Sequence, residues 1–456
     1  MAERRERALD QLTRLLVVAM LLAVLLNGLP FWARRVGLLE AQAYGRDLAR
    51  FCQPPVQRWW LPASCRSFKI PPGPPPIRIE RLDYHRLYRL APREVGFKAA
   101  RYAIPPLLLL VSTALLVARW QPLPPLQALL PLVPLLLSSL LSIAISLPLD
   151  GLSATLLSAV WSLWIPLAAV AGWLTTPRRL QILADGAAAL VLLQGPFLAL
   201  EAMRGLPMPF GGPPSPWLPT RLSGLMNQPN TLGGLLAISV ALCMVGSNRA
   251  WQRWPLLLLS MGLAALARSG GGVVGLLLLA LAMLWGHLPR RWRVFPLVVG
   301  LVVCALALPG LLGRPQLIDS PTGRLRTLRV WIQNPRTPQE RWLGYGVASQ
   351  SHRQRSFPRL DPPATAVEAP RSGRGPAAEA MPLLLLAQGG VVALVAFYGL
   401  LGWCCWQDPD LRPFWAVLLL ISLTLNISEV FPLGVWLAVA TARGLNRSLR
   451  PAGPRG

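Results

Sequence analysis

Across its 456 residues the chain combines a mean hydropathy of +0.46 and only 14% charged residues with a formal net charge of +26. A soluble nucleic-acid binder would spread Lys and Arg over a polar domain. Here they lie between long apolar runs, which excludes that class and points to an integral membrane protein with basic loops.

The start, "MAERRERALDQLTRLLVVAMLLAVLLNGLPFWA", has the charge order of a signal peptide but no small-residue cleavage site. Residues 1–34 are therefore read as a cytoplasmic tail and a retained first helix over about 13–33. A basic segment, 35–101, follows with "PPGPPP", aromatics and many arginines, and without a chemistry-bearing pattern. Cys52 and Cys65 fall in it, either bonded in an oxidising compartment or as two free thiols, whereas Cys243, Cys304, Cys404 and Cys405 lie in apolar runs as small hydrophobes. The unit 102–312 contains apolar runs at 102–118, 125–147, 151–175, 180–200, 230–247, 254–267, 270–287 and 294–312. A large loop occupies 313–379, and runs at 380–403, 413–428 and 430–442 fill the last unit, 380–456. The expected fold is all-α, a polytopic membrane protein of about 12 helices with a large outer-face loop before the tenth.

Within that loop "SPTGRLRTLRVWIQNP" reads as a helix: Ser320 caps it, Pro321 suits its first position, and Asn334-Pro335 ends it. Arg326 and Arg329 share a face, with Arg324 nearby. "RWLGYGVAS" follows, with Gly344 and Gly346 permitting a tight turn, and then a Pro/Ala/Gly-rich stretch predicted to be mobile. Trp59, Trp60, Trp217 and Trp342 suit interfacial belts. The three histidines are too scattered for a metal site, with His85 and His287 read as structural, and the sequence carries no Walker, zinc or dinucleotide motif.

With a cytoplasmic N-terminus, the inner turns hold Arg119, Arg178, Arg179, Arg249, Arg253, Arg290, Arg291, Arg293, Arg412 and the tail from Arg443. The outer short turns hold Asp150, Glu201, Arg204, Arg221, Arg268 and Glu429, a positive-inside asymmetry that also puts the C-terminus inside. Arg221 and Arg268 are its exceptions. An arginine so placed snorkels, pairs or binds something. Arg221 heads the stretch "RLSGLMNQPNTLGG", whose Asn227 and Asn230 precede an apolar run and mark a helix N-terminus. Arginine forks bind phosphate oxygens in pairs, and a helix N-terminus adds unpaired N–H groups for the same anion. The loop arginines could instead be a solvated face or an anchor to anionic lipid.

Four ordered stretches carry a resemblance. "RLSGLMNQPNTLGGLLAISVAL", "LARSGGGVVGLLLLAL", "TGRLRTLRVWIQNPRTPQERWLGYG" and "AEAMPLLLLAQGGVVALVAFYGLLG" together resemble, over about 220–403, the O-antigen ligase and O-antigen polymerase superfamily. The N-terminal half matches only as a run of apolar helices. The resemblance implies a GT-C-like membrane glycosyltransferase of the bacterial inner membrane that needs no metal or other cofactor. Such an enzyme takes a glycan from a polyprenyl-pyrophosphate carrier on the periplasmic face and passes it to lipid A core or another glycan acceptor. By position it implies Arg221, Arg268 and one of Arg324 or Arg329 as pyrophosphate ligands, with Asn227, Asn230, Gly344 and Gly346 in support. The family's ligases carry His-Asn at the start of the crossing after the large loop, where this chain has Ala378 and Glu379. Glu379 and His352 are the candidate bases, with neither as the third possibility. The competing class is a transporter, since a branch of the superfamily is linked to inorganic-carbon accumulation. It would need ionisable residues deep in the helices or broken helices, and Asp185 and Glu429 are the main acidic candidates.

Overall fold

The computed structural model describes residues 2–35, 111–112, 125–150, 152–204, 222–226, 229–247, 249–287, 337–347, 380–425, 427, 430 and 432–447. Regular structure among them is helical throughout. We number the main helices α1 (Ala2–Arg35), α2 (Val133–Asp150), α3 (Leu152–Ala159), α4 (Trp164–Val170), α5 (Pro177–Arg204) and α6 (Pro229–Gly246). The remainder are α7 (Trp254–Leu266), α8 (Gly270–His287), α9 (Pro338–Leu343), α10 (Met381–Gln407), α11 (Arg412–Thr424) and α12 (Leu433–Arg447).

Five stretches are long and apolar enough to cross a membrane: Glu3–Leu26, Leu126–Pro148, Pro177–Met203, Pro229–Gly246 and Met381–Gln407. Trp164–Thr175, Trp254–Leu266 and Gly270–Leu284 are shorter apolar helices. This is a helical, membrane-embedded protein. Bare leucines such as Leu137, Leu140 and Leu258 line outer faces, as expected where the surrounding solvent is hydrocarbon. By contrast α6 is buried all round from Leu232 to Cys243, the central helix of the bundle, packed by α5, α7, α8 and α11. The expected crossing at 294–312, all of 102–118 but Val111 and Ser112, and the basic segment after Arg35 lie outside the described residues.

Two expected crossings differ in detail. The run 151–175 is divided into α3, a 3-10 turn over Val160–Leu163, α4 and a second 3-10 turn over Ala171–Thr175. The run 380–403 is not one straight helix, because Gly390 breaks α10 with φ 65°.

Sequence charge and packing agree on two ends. One end gathers the N-termini of α1 and α5, the α6–α7 turn and the C-termini of α10 and α12. Buried Arg179 pairs there with Asp10 at 3.3 Å and with Glu6, and donates to the Trp173 carbonyl at 2.7 Å. Arg178 reaches Asp10 at 2.7 Å, Arg249 reaches Asp185 at 3.2 Å, and Arg443 and Arg447 both reach buried Asp408 at 2.7 Å. Burial pushes the Asp408 carboxyl above its usual range, and those two guanidiniums pull against it. The described turns read from sequence as sharing one side thus share one end, the ion-paired end; Arg119, Arg290, Arg291 and Arg293 lie outside the described residues. Asp185 belongs to it, and Gln181 and Gln252 also donate to its carboxylate. Arg268, Glu201 and the starts of α6 and α8 mark the opposite end.

Because Arg179 is almost wholly buried, removing it leaves buried Asp10 only the exposed Arg178 as partner and takes away the bond to the Trp173 carbonyl. Arg179→Ala is expected to lower stability by about 3 kcal/mol. The thermal midpoint of the detergent-solubilised protein should fall, and adding Asp10→Asn should restore part of it.

Candidate functional site

The turn joining α7 to α8 places Arg268. After Leu266 the chain closes in a Schellman arrangement: the Arg268 N–H donates to the Ala265 carbonyl at 2.9 Å, and the Ser269 N–H to the Ala264 carbonyl at 3.0 Å. That motif needs a left-handed residue at its bend, usually glycine. Here the residue is Arg268, with φ 51°, among the described residues the one non-glycine in that region. The cost for a side-chain-bearing residue is about 1–2 kcal/mol. Three glycines follow directly at 270–272, so the sequence holds an arginine at the position glycine would fill more comfortably. Its side chain is exposed.

Two helix N-termini meet beside it. The starts of α6 and α8 run parallel and touch through glycine: a Cβ on Gly272 would lie 2.5 Å from the Gly233 Cα, and one on Gly233 would lie 2.0 Å from the Ser269 Oγ. The Ser269 hydroxyl is buried at this junction without a hydrogen-bond partner. Pro229 takes the first position of α6, in keeping with proline's preference there, and Asn230 lies in the first turn, at the helix N-terminus that the sequence marked. Two aligned dipole ends and an exposed guanidinium together favour an anion.

Leu222–Met226, inside the "RLSGLM" stretch, is held by residues that sequence reading did not single out. The carboxylate of Glu201 on α5 accepts the backbone N–H of Ser223 at 3.0 Å and of Gly224 at 3.2 Å, and the Gln194 Oε1 accepts that of Leu225 at 3.0 Å. The signal was present: Gln194 and Glu201 are seven apart, two turns along one face of an otherwise apolar helix.

The second cluster is built on the break in α10. Helix geometry is lost at Gly390, so carbonyls just before it lose their i+4 partners. The chain after α9 supplies replacements: Tyr345 N–H donates to the Ala387 carbonyl at 2.7 Å and Gly346 N–H to the Gln388 carbonyl at 3.1 Å. Val347 N–H donates to the Ser142 carbonyl on α2 at 3.0 Å, and Gln388 Nε2 returns a bond to the Val347 carbonyl at 2.7 Å. Gly344 and Gly346 have φ 73° and 103°, and a Cβ on either would strike backbone of Gln388 or of Ser146 within 3 Å. The tight turn read from sequence exists, and its use is to seal a broken helix. The helix α9 leads into it through a capping box between Thr337 and Glu340.

Of the sequence candidates, Arg268 and Asn230 share the first cluster, and Gly344 and Gly346 form the second. The helix α11, packed on α6, α8 and α10, links the two. Arg221, Asn227, Arg324, Arg329, His352 and Glu379 lie outside the described residues, as do His85 and the helix expected at 320–334.

A Cβ on Gly390 would lie 2.3 Å from the Trp342 backbone. Gly390→Ala should therefore expel the Gly344–Val347 turn at a cost of about 1–3 kcal/mol. Hydrogen exchange at the Tyr345 and Gly346 amides should accelerate while amides in the middle of α6 keep wild-type protection. Neither a scan against protein-family models nor a search of curated proteins finds a match to this chain.

Proposed function

We propose that the protein transfers or polymerises a glycan carried on polyprenyl pyrophosphate, at the bundle end that holds Arg268, which faces the periplasm in this reading. Supporting the assignment above all is Arg268 itself, a strained arginine at a glycine position, beside two helix N-termini. An exposed guanidinium next to aligned peptide dipoles stabilises the pyrophosphate leaving group more in the transition state, where its negative charge grows, than in the bound donor. An acceptor hydroxyl attacks the anomeric carbon, the bond from that carbon to the pyrophosphate oxygen breaks, and the carrier departs as the pyrophosphate anion. The hydroxyl proton goes to a base, for which Glu379 and His352 are the candidates from sequence. Arg221 and Arg324 or Arg329 complete the arginine set in this reading. The opposite, ion-paired end then faces the cytoplasm, in keeping with the positive-inside rule.

One observation favours a second reading, solute transport: the helix break at Gly390 resembles the discontinuous helices of transporters. Against it, Asp10, Asp185 and Asp408 are paired at one end of the bundle, and the buried Glu201 carboxylate at the other is engaged by the backbone N–H groups of Ser223 and Gly224.

Backbone strain and chemistry separate in one substitution. Arg268→Gly should raise the thermal midpoint, gaining about 1 kcal/mol from the relaxed turn. It should also reduce transfer from carrier-linked glycan by about a hundredfold or more at unchanged protein level. Retained transfer in Arg268→Gly would remove the arginine from the site. Normal surface polysaccharide with altered solute uptake in a deletion strain would sink the transferase reading.

A further inference from the structure

The helix α1 divides its charges by face. Glu6 and Asp10 turn toward α5, where Arg178 and Arg179 neutralise them. Leu9, Thr13, Leu16 and Met20 are buried on that side. On the other side Leu15, Val18, Leu22 and Leu29 are exposed, successively three, four and seven residues apart, which makes them one lipid-facing stripe. Toward the start of the helix the same spacing continues through Arg14, Gln11, Arg7 and Arg4, all exposed. The stripe that meets hydrocarbon therefore runs, without leaving its face, into a row of guanidiniums.

Nothing within the protein accounts for that row. Arg178, Arg179, Arg249, Arg443 and Arg447 at the same end are each neutralised by carboxylates. Arg7 shares the exposed Glu3, whereas Arg4 and Arg14 have no ion-pair or hydrogen-bond partner among the described residues. Arginines in the first turns of a helix also oppose its dipole, so helix stability does not explain them. Their level does. Exposed Trp251 in the α6–α7 turn and Trp406 near the end of α10 put a membrane interface at this end. Helix side chains lean toward the N-terminus, so the Arg14 guanidinium reaches away from the hydrocarbon beside Leu15 and into the phosphate layer. Arg7 and Arg4 follow about 10 and 15 Å further along the axis, within about a Debye length of the headgroup surface.

We infer that the Arg4, Arg7 and Arg14 stripe of α1 binds the phosphate headgroups of anionic phospholipid in the leaflet at the ion-paired end, with Arg14 in direct contact. Guanidinium forks hold phosphate oxygens in pairs, and the charges are complementary. Lipid, more than another polyanion, fits because the arginines continue a face that already meets acyl chains, so one molecule lies along both parts. The inference is independent of the transfer reading, whose chemistry sits at the opposite end.

The test titrates the detergent-solubilised full chain with phosphatidylglycerol or phosphatidylcholine and counts bound lipid by native mass spectrometry. Phosphatidylglycerol is expected to bind about tenfold tighter or more. The double variant Arg4→Gln/Arg14→Gln should weaken it about tenfold, since each arginine at an anionic headgroup is worth about fivefold, and leave phosphatidylcholine unchanged. A charge-matched control is Arg253→Gln/Arg412→Gln, which removes two exposed arginines of other helices at the same end and should weaken phosphatidylglycerol by no more than about threefold. Both doubles should keep the wild-type thermal midpoint in detergent, so that lost lipid is not lost folding. No preference for phosphatidylglycerol, or equal losses in the two doubles, overturns the inference. So does binding of a short RNA through Arg4 and Arg14 that phosphatidylglycerol fails to displace.

Discussion

Hydrocarbon offers a peptide group no hydrogen-bond partner, so a membrane helix can be interrupted only where other protein supplies the missing bonds. The break at Gly390 in α10 meets that condition through the backbone of Gly344–Val347, which donates to the carbonyls of Ala387, Gln388 and Ser142. Loop and helix therefore depend on each other. If the turn undocks, buried carbonyls are exposed to a medium that cannot solvate them; if α10 straightens, the turn loses its acceptors. This reciprocity fixes part of the large loop against α2 and α10, and it explains why three glycines with positive φ cluster within one contact.

Charge organises the remainder. Arg178, Arg179, Arg249, Arg443 and Arg447 are neutralised by carboxylates at one end of the bundle, where they tie α1 to α5, α5 to the α6–α7 turn, and α12 to the chain after α10. Much of the described positive charge is thereby spent on holding helices in register. Arg268 stands apart from that set in both place and backbone, at the end where α6 and α8 present their positive dipoles.

Much of this was legible in the sequence. Apolar runs at 125–147, 180–200 and 230–247 located the spans Leu126–Pro148, Pro177–Met203 and Pro229–Gly246 to within a few residues, because a span of about 20 apolar residues has little else it can do in a bilayer. The positive-inside count grouped Arg178, Arg249 and Arg443, which the ion pairs gather at one end. It also flagged Arg268 as an exception, though not its left-handed backbone, since a Schellman bend is normally announced by glycine. The interruption of α10 escaped the hydropathy reading because Gly389-Gly390 is neutral on such a scale; only the backbone freedom of paired glycines hinted at it.

In the transfer reading, the substrate has two chemically opposed parts, a pyrophosphate that demands cations and a sugar that demands neutral hydroxyls. A single pocket lined with arginine would hold the first and gain little from the second. At the Arg268 end, α11 packs its Thr424 against Gly271. Its Ser422 meets Tyr398 of α10 at 2.9 Å. Ile421 reaches Gly234 and Gly275, close-packed positions on α6 and α8 that leave little room for independent movement. A helix so wedged acts as a fixed spacer. It follows that the spacing between the Arg268 end and α10 is set by rigid packing.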